Sequence, residues 1–266
     1  MSPAKTTTAA LAADGPPEAT TADAAVTSDA HRPKILLHPV PVYDSPLAKG
    51  VSLGRVAVLL SLLAWGMDGL VADPASALRR ALPAVAAVQA VYAALCIPPA
   101  GSPVKAAKKP RPGEKARKND AGAAGAISSV IIALVLSALT VPVLYALFVL
   151  FGAPFLSHTG RTVLCAAHFA LLAVFPVVRA RGLDRSALVA VAGAAAPLDE
   201  TFGGLVGAAA GAWLGAVPIP LDWDRDWQRW PVTIVVGMYL GAAAGSLLAG
   251  TVLYGKRLAG PAVKAD

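Results

Sequence analysis

Hydrophobic residues along this chain neither alternate nor recur on one helical face; they fill six long blocks almost completely, at residues 51–72, 81–97, 127–151, 162–178, 201–217 and 231–254. A hydrocarbon core of about 30 Å is crossed by roughly 17–25 helical residues, and each block has that length. The pattern predicts an all-α polytopic membrane protein, a bundle of six transmembrane helices. The second block is short and holds Pro83 and Gln89, while Pro142 lies mid-way along the third and should kink it. A further apolar run, 187–197, is too short to span. It enters and leaves the membrane on one side or extends the fifth helix at an angle; were it to span, the C-terminus would change sides.

The polar segments between the blocks set the organisation. Residues 1–50 form a Pro/Thr/Ala-rich tail without a continuous apolar core, so it reads as disordered and not as a signal peptide, and the first span serves as the insertion signal. Pro39 and Pro41 forbid a helix near Val40, and the stretch 35–47 is either linker or a docking segment. Residues 98–126 make a basic loop and 255–266 a short tail. With the N-terminus inside, 18 of the 23 Lys and Arg residues fall on the inner side, which places both termini in the cytosol. The basic loop is a topology determinant, with contact to anionic headgroups as its functional alternative.

Composition narrows the function. The chain is 56% hydrophobic and 15% charged with mean hydropathy +0.61, against about 25% charged residues in soluble domains. Its charge of +7 is spread between the apolar blocks, which argues for topology and against nucleic acid as a partner. Cys96 and Cys165 lie inside apolar blocks without a metal-ligand spacing, so neither a disulfide scaffold nor a cysteine-built zinc site is expected. The outer loops, 73–80, 152–161 and 218–230, are too short for a catalytic domain, and the inner segments carry no phosphate loop or nucleophile elbow. Asp68 and His168 are the ionisable residues within the blocks that stand out. Asp68 is expected to make a helix-end or loop hydrogen bond, and His168 to be a neutral imidazole bonded to a neighbouring helix. No cofactor or metal is expected.

Two features carry more information. Gly203, Gly207, Gly211 and Gly215 recur every fourth residue in the fifth block, and Gly237, Gly241 and Gly245 do so in the sixth, continued by Ala249. Four residues advance about 400° around a helix, so each series is a smooth stripe along which a backbone can approach closely. The stripes pack these two helices together, or one receives a helix of another protein. The second feature is the loop PIPLDWDRDWQRWP at 218–231. Trp223, Trp227 and Trp230 stand at i, i+4 and i+7, one face of a short interfacial helix, with Asp224, Arg225, Asp226 and Gln228 mostly on the other. Asp222 caps its start and Pro231 opens the next span. The D-x-D-x-D run lacks the glycine and the bidentate Glu of a calcium loop, so ion pairing of Asp224 or Asp226 with Arg225 and Arg229 is expected in place of metal binding.

GAWLGAVPIPLDWDRDWQRWP, at 211–231, resembles the signature of the PIG-F family of glycosylphosphatidylinositol (GPI) anchor biosynthesis proteins, and VLFGAPF at 149–155 is similar to a second shared motif. Asp226 departs from the family pattern, which generally has proline there. The resemblance implies a multispan protein of the endoplasmic reticulum with a non-catalytic role: a subunit that binds and stabilises the PIG-O-like and PIG-G-like ethanolamine phosphate transferases. Partner or lipid contacts, including contact with the GPI precursor, are expected at Asp222, Trp223, Asp224, Arg225, Trp227, Gln228, Trp230 and Pro231. The alternatives are a multispan lipid-linked transferase and a lipid transporter of the same pathway.

Overall fold

The computed structural model describes residues 37–101 and 120–259. The chain is helical: α1 (Pro46–Trp65), α2 (Met67–Ala72), α3 (Pro74–Leu95), α4 (Asp120–Leu139), α5 (Val141–Leu150), α6 (Thr159–Phe169), a π-helical turn (Ala170–Val174), α7 (Phe175–Arg181), α8 (Arg185–Ala192), α9 (Glu200–Ala216) and α10 (Val232–Gly250). The described residues contain no strand, only an isolated antiparallel bridge between Pro197 and Arg257.

Among the described residues four helical stretches are long and apolar enough to cross a membrane: Pro46–Trp65, Gly125–Leu150, Thr159–Arg181 and Val232–Gly250. The other two expected spans correspond to α3, which carries Arg79, Arg80 and Gln89, and α9, which has only 17 residues. The third expected span breaks at Thr140 into α4 and α5, since Pro142 supplies no N–H to the turn before it. The run 187–197 does not extend the fifth span as one helix. Its first half is α8, and Gly193 to Asp199 separate α8 from α9.

The first span begins earlier than its apolar block. Pro46 sits in the first turn, where a missing N–H costs nothing, and the Ser45 hydroxyl accepts from Ala48 N, so the boundary at residue 50 falls inside α1. Residues 37–45, placed in the tail by composition, run against the bundle: Val40 N donates to Asp199 and Tyr43 N to the Cys96 carbonyl. The rest of the tail (1–36), the basic residues 105–118 and residues 260–266 lie outside the described residues.

The core holds Leu78, Val85, Tyr92, Cys165, Phe175, Phe202, Val232 and Met238. Both cysteines are free and buried. His168 is fully enclosed, with Nε2 3.1 Å from the Leu78 carbonyl and Nδ1 2.8 Å from the Tyr239 hydroxyl. A carbonyl only accepts, so Nε2 carries the proton, and in the neutral ring Nδ1 accepts from Tyr239. Asp68 is exposed in the first turn of α2, where a carboxylate suits the helix N-terminus, and its side chain makes no hydrogen bond among the described residues, so the expected bond is not formed. Asp73, between α2 and α3, accepts from Ala75 N and Ser76 N, and its bonding to Ser76 holds the carboxyl below the usual range.

Candidate functional site

The glycine stripes meet each other. α9 and α10 run antiparallel with Gly203 opposite Gly245, Gly207 opposite Gly241, Gly211 opposite Gly237 and Gly215 opposite Thr233. A Cβ built on any of the seven glycines would overlap a backbone carbonyl oxygen of the facing helix. Close approach of this kind replaces the hydrophobic driving force that lipid removes between membrane helices. The faces are filled from within the chain, which leaves no stripe for a helix of another protein.

The buried polar end of the same pair was not visible in the sequence pattern, which counted its arginines only toward topology. Asp199 is the N-cap of α9: Oδ1 accepts from Thr201 N and Phe202 N, each at 3.0 Å, and from the Thr201 hydroxyl. Its Oδ2 takes Val40 N and the Arg181 guanidinium, and Arg181 also donates to the Pro197 carbonyl at 2.9 Å. The side chains of this ion pair are 2% and 0% exposed. Beside it Glu200 accepts from Ser52 at 2.6 Å and from Arg55 at 3.3 Å. Arg55 lies 3.9 Å over the Tyr92 ring and donates to Gln89, whose amide donates to the Leu171 and Leu172 carbonyls of the π-helical turn. Only the cap had a local signal, since Asp-Glu-Thr immediately before a glycine stripe is an N-cap pattern.

At the opposite end the 218–231 loop is not an interfacial helix. Only Asp226–Gln228 forms a 3-10 turn, and Asp224 takes φ +46°. Gln228 explains why: its amide donates to the Pro218 and Leu221 carbonyls (2.7 and 2.8 Å), and its Oε1 accepts from Arg225 N. These side-chain bonds to backbone displace the helical ladder over a segment too short to nucleate one. The tryptophans therefore do not share one face. Trp223 is 54% exposed and packs its ring 5.7 Å from that of Trp227, whereas Trp230 turns inward and donates from Nε1 to Thr162 at 3.0 Å. Asp222, Asp224 and Arg225 are exposed, and Asp226 pairs with Arg229. Asp222 makes no cap; Pro231 is buried at the N-cap of α10.

Thr162 links this loop to the 149–155 segment, which ends α5. Gly152, at φ +99°, and Ala153 donate to the Val149 and Phe148 carbonyls, the pairing that closes a helix through a left-handed glycine. The chain then passes Pro154 to the start of α6, where Thr162 is buried. Between these two segments lies an apolar groove of about 520 Å³, walled by Leu147 and Phe148 of α5 and Phe151 just after it, by Ala209, Ala212, Trp213 and Ala216 of α9, and by Ile219, Pro220 and Trp230. That volume is typical of a binding site, and no ionisable side chain lines it. Among the described residues no three His, Cys, Asp or Glu side chains converge.

These features define a helical membrane protein whose two motif segments converge on one apolar groove. Residues 55–250 match the GPI biosynthesis protein family Pig-F. A glycosylphosphatidylinositol anchor biosynthesis protein 11 of Neurospora crassa is 52% identical over 222 residues, covering 83% of this chain and 81% of the relative. Its counterpart in Pyricularia oryzae is 48% identical, covering 76% and 75%, and that of Aspergillus fumigatus 38% identical, covering 83% and 85%. No solved structure matches. The chain belongs to the PIG-F family and has its role in GPI-anchor biosynthesis.

Proposed function

We propose that this chain is a non-catalytic subunit that binds and stabilises a GPI ethanolamine phosphate transferase, of the PIG-O-like or PIG-G-like kind, in the endoplasmic reticulum membrane, with both termini cytosolic. The groove between α5 and α9 supports the reading most, because the two segments carrying the family resemblance build it and its walls are apolar. Trp213 and Phe151 remain exposed at its edge, as docking residues for a partner's membrane helix. The loop, held rigid by Gln228, presents Trp223, Asp222 and Arg225 beside it, and the glycine-packed α9 and α10 form the unyielding wall.

The test is ethanolamine-phosphate transfer by the chain alone, by the transferase alone and by the two together. The proposal expects no transfer by the chain alone and a longer-lived, active transferase in the pair. Transfer by the chain alone would make it an enzyme.

A further inference from the structure

A second cleft opens at the loop end on the other side of the bundle, between α1 and α2 on one wall and α3 on the other. It encloses about 390 Å³. The room comes from small residues: Ala77, Ala81 and Ala84 stand at i, i+4 and i+7 on one face of α3, opposite the helix break at Gly66. The walls are apolar, and the floor is the His168–Tyr239 pair, already mutually bonded.

The rim differs from that of the groove. Arg80 lies in the cleft lining with its guanidinium beside Gly69, where a Cβ built on the glycine would sit 3.8 Å from Nη2, in ordinary contact. Arg80 donates from Nε to the Ser76 carbonyl of its own helix and pairs with no carboxylate among the described residues. Trp65, 94% exposed beside it, marks the headgroup level at which tryptophans gather. An apolar slot that ends under an unpaired guanidinium at that depth has the complementarity of a lipid tail joined to a phosphate.

We infer that this cleft seats one glycerophospholipid, with an acyl chain between α1 and α3 and its phosphate on Arg80. The site is separate from the α5–α9 groove, so it stands or falls independently of the partner proposal. The full chain, purified in detergent and stripped of lipid, is titrated with dioleoylphosphatidylcholine, and the bound lipid is counted by native mass spectrometry. One lipid should bind per chain. Arg80→Gln should weaken binding about ten-fold, the loss of one charge-assisted contact. Ala81→Leu, which fills the slot at a position that is not tightly packed, should abolish it, while Leu53→Ala on the exposed face of α1 should leave it unchanged. Equal binding by wild type and both cleft variants overturns the site. Equal binding of oleate and the phospholipid overturns the role of the phosphate, and folding of each variant is checked by its thermal transition.

Discussion

The two ends of this bundle are built on opposite rules. Where α9 begins, charge is buried: Asp199 pairs with Arg181, Glu200 with Arg55 and Ser52, Arg179 is enclosed near them without a carboxylate partner among the described residues, and an extended strap at 37–45 is bonded across the top. Where α9 ends, aromatic and aliphatic side chains stand open around two clefts, and the ion pair Asp226–Arg229 lies at the surface, its side chains 72% and 50% exposed. One helix joins them, locked along its length against α10 by backbone contact. The first end holds the fold and leaves little to be recognised. The second leaves apolar surface around its clefts, which the proposed partner and lipid would cover.

The comparison breaks most visibly at the buried pair. Asp199→Ala strands Arg181 and uncaps α9, and removal of one partner of a buried pair costs about 3–5 kcal/mol. Thermal unfolding in detergent should show the largest loss of any single substitution here. A loss of the size seen for a surface residue would mean that this end does not hold the fold. Next in size is Gly207→Ala or Gly241→Ala. Each adds one methyl where the facing carbonyl already sits, and forced overpacking costs about 1–3 kcal/mol, read in the same transition. A stable Gly241→Ala protein would show that α9 and α10 are free to separate.

Smaller effects on stability are expected at the loop end, where the effect falls on assembly. Trp227→Phe and Arg225→Ala should keep the chain inserted at normal level yet lower transferase recovery and let incompletely modified anchor precursors accumulate. Normal recovery and processing in both would remove the loop from the interface, while lost transfer with an intact complex would favour a direct role in substrate binding. Smallest of all, Arg229→Ala removes an exposed i,i+3 pair and should change stability by less than about 1 kcal/mol. A larger loss would show that the loop is braced by that pair and not by Gln228.

Much of this architecture was legible from the chain because lipid leaves few alternatives: long apolar blocks become helices, and glycines every fourth residue become a contact face. His168 finds helix partners because a buried imidazole has to. The sequence hid whatever depends on which polar groups meet. Arg55 and Arg181 counted only toward topology, since nothing local reveals that they are buried against Glu200 and Asp199, 145 and 18 residues away along the chain. The loop misled for a different reason. Its tryptophan spacing is helical, but Gln228 satisfies the backbone first, and periodicity cannot register a side chain that competes for carbonyls. The groove was invisible too, because it is made by the meeting of two segments more than fifty residues apart.

Transferase recovered per molecule of chain, compared between wild type and Ala212→Leu, tests the division between the two ends most directly. Ala212 lines the groove on α9, away from the glycine stripe, so leucine there should fill the proposed docking surface and leave the α9–α10 contact untouched. The account predicts an unchanged unfolding temperature and transferase recovery reduced about ten-fold, the consequence of roughly 1.4 kcal/mol at the interface. Recovery equal to wild type, with the variant folded and the groove filled, would contradict it.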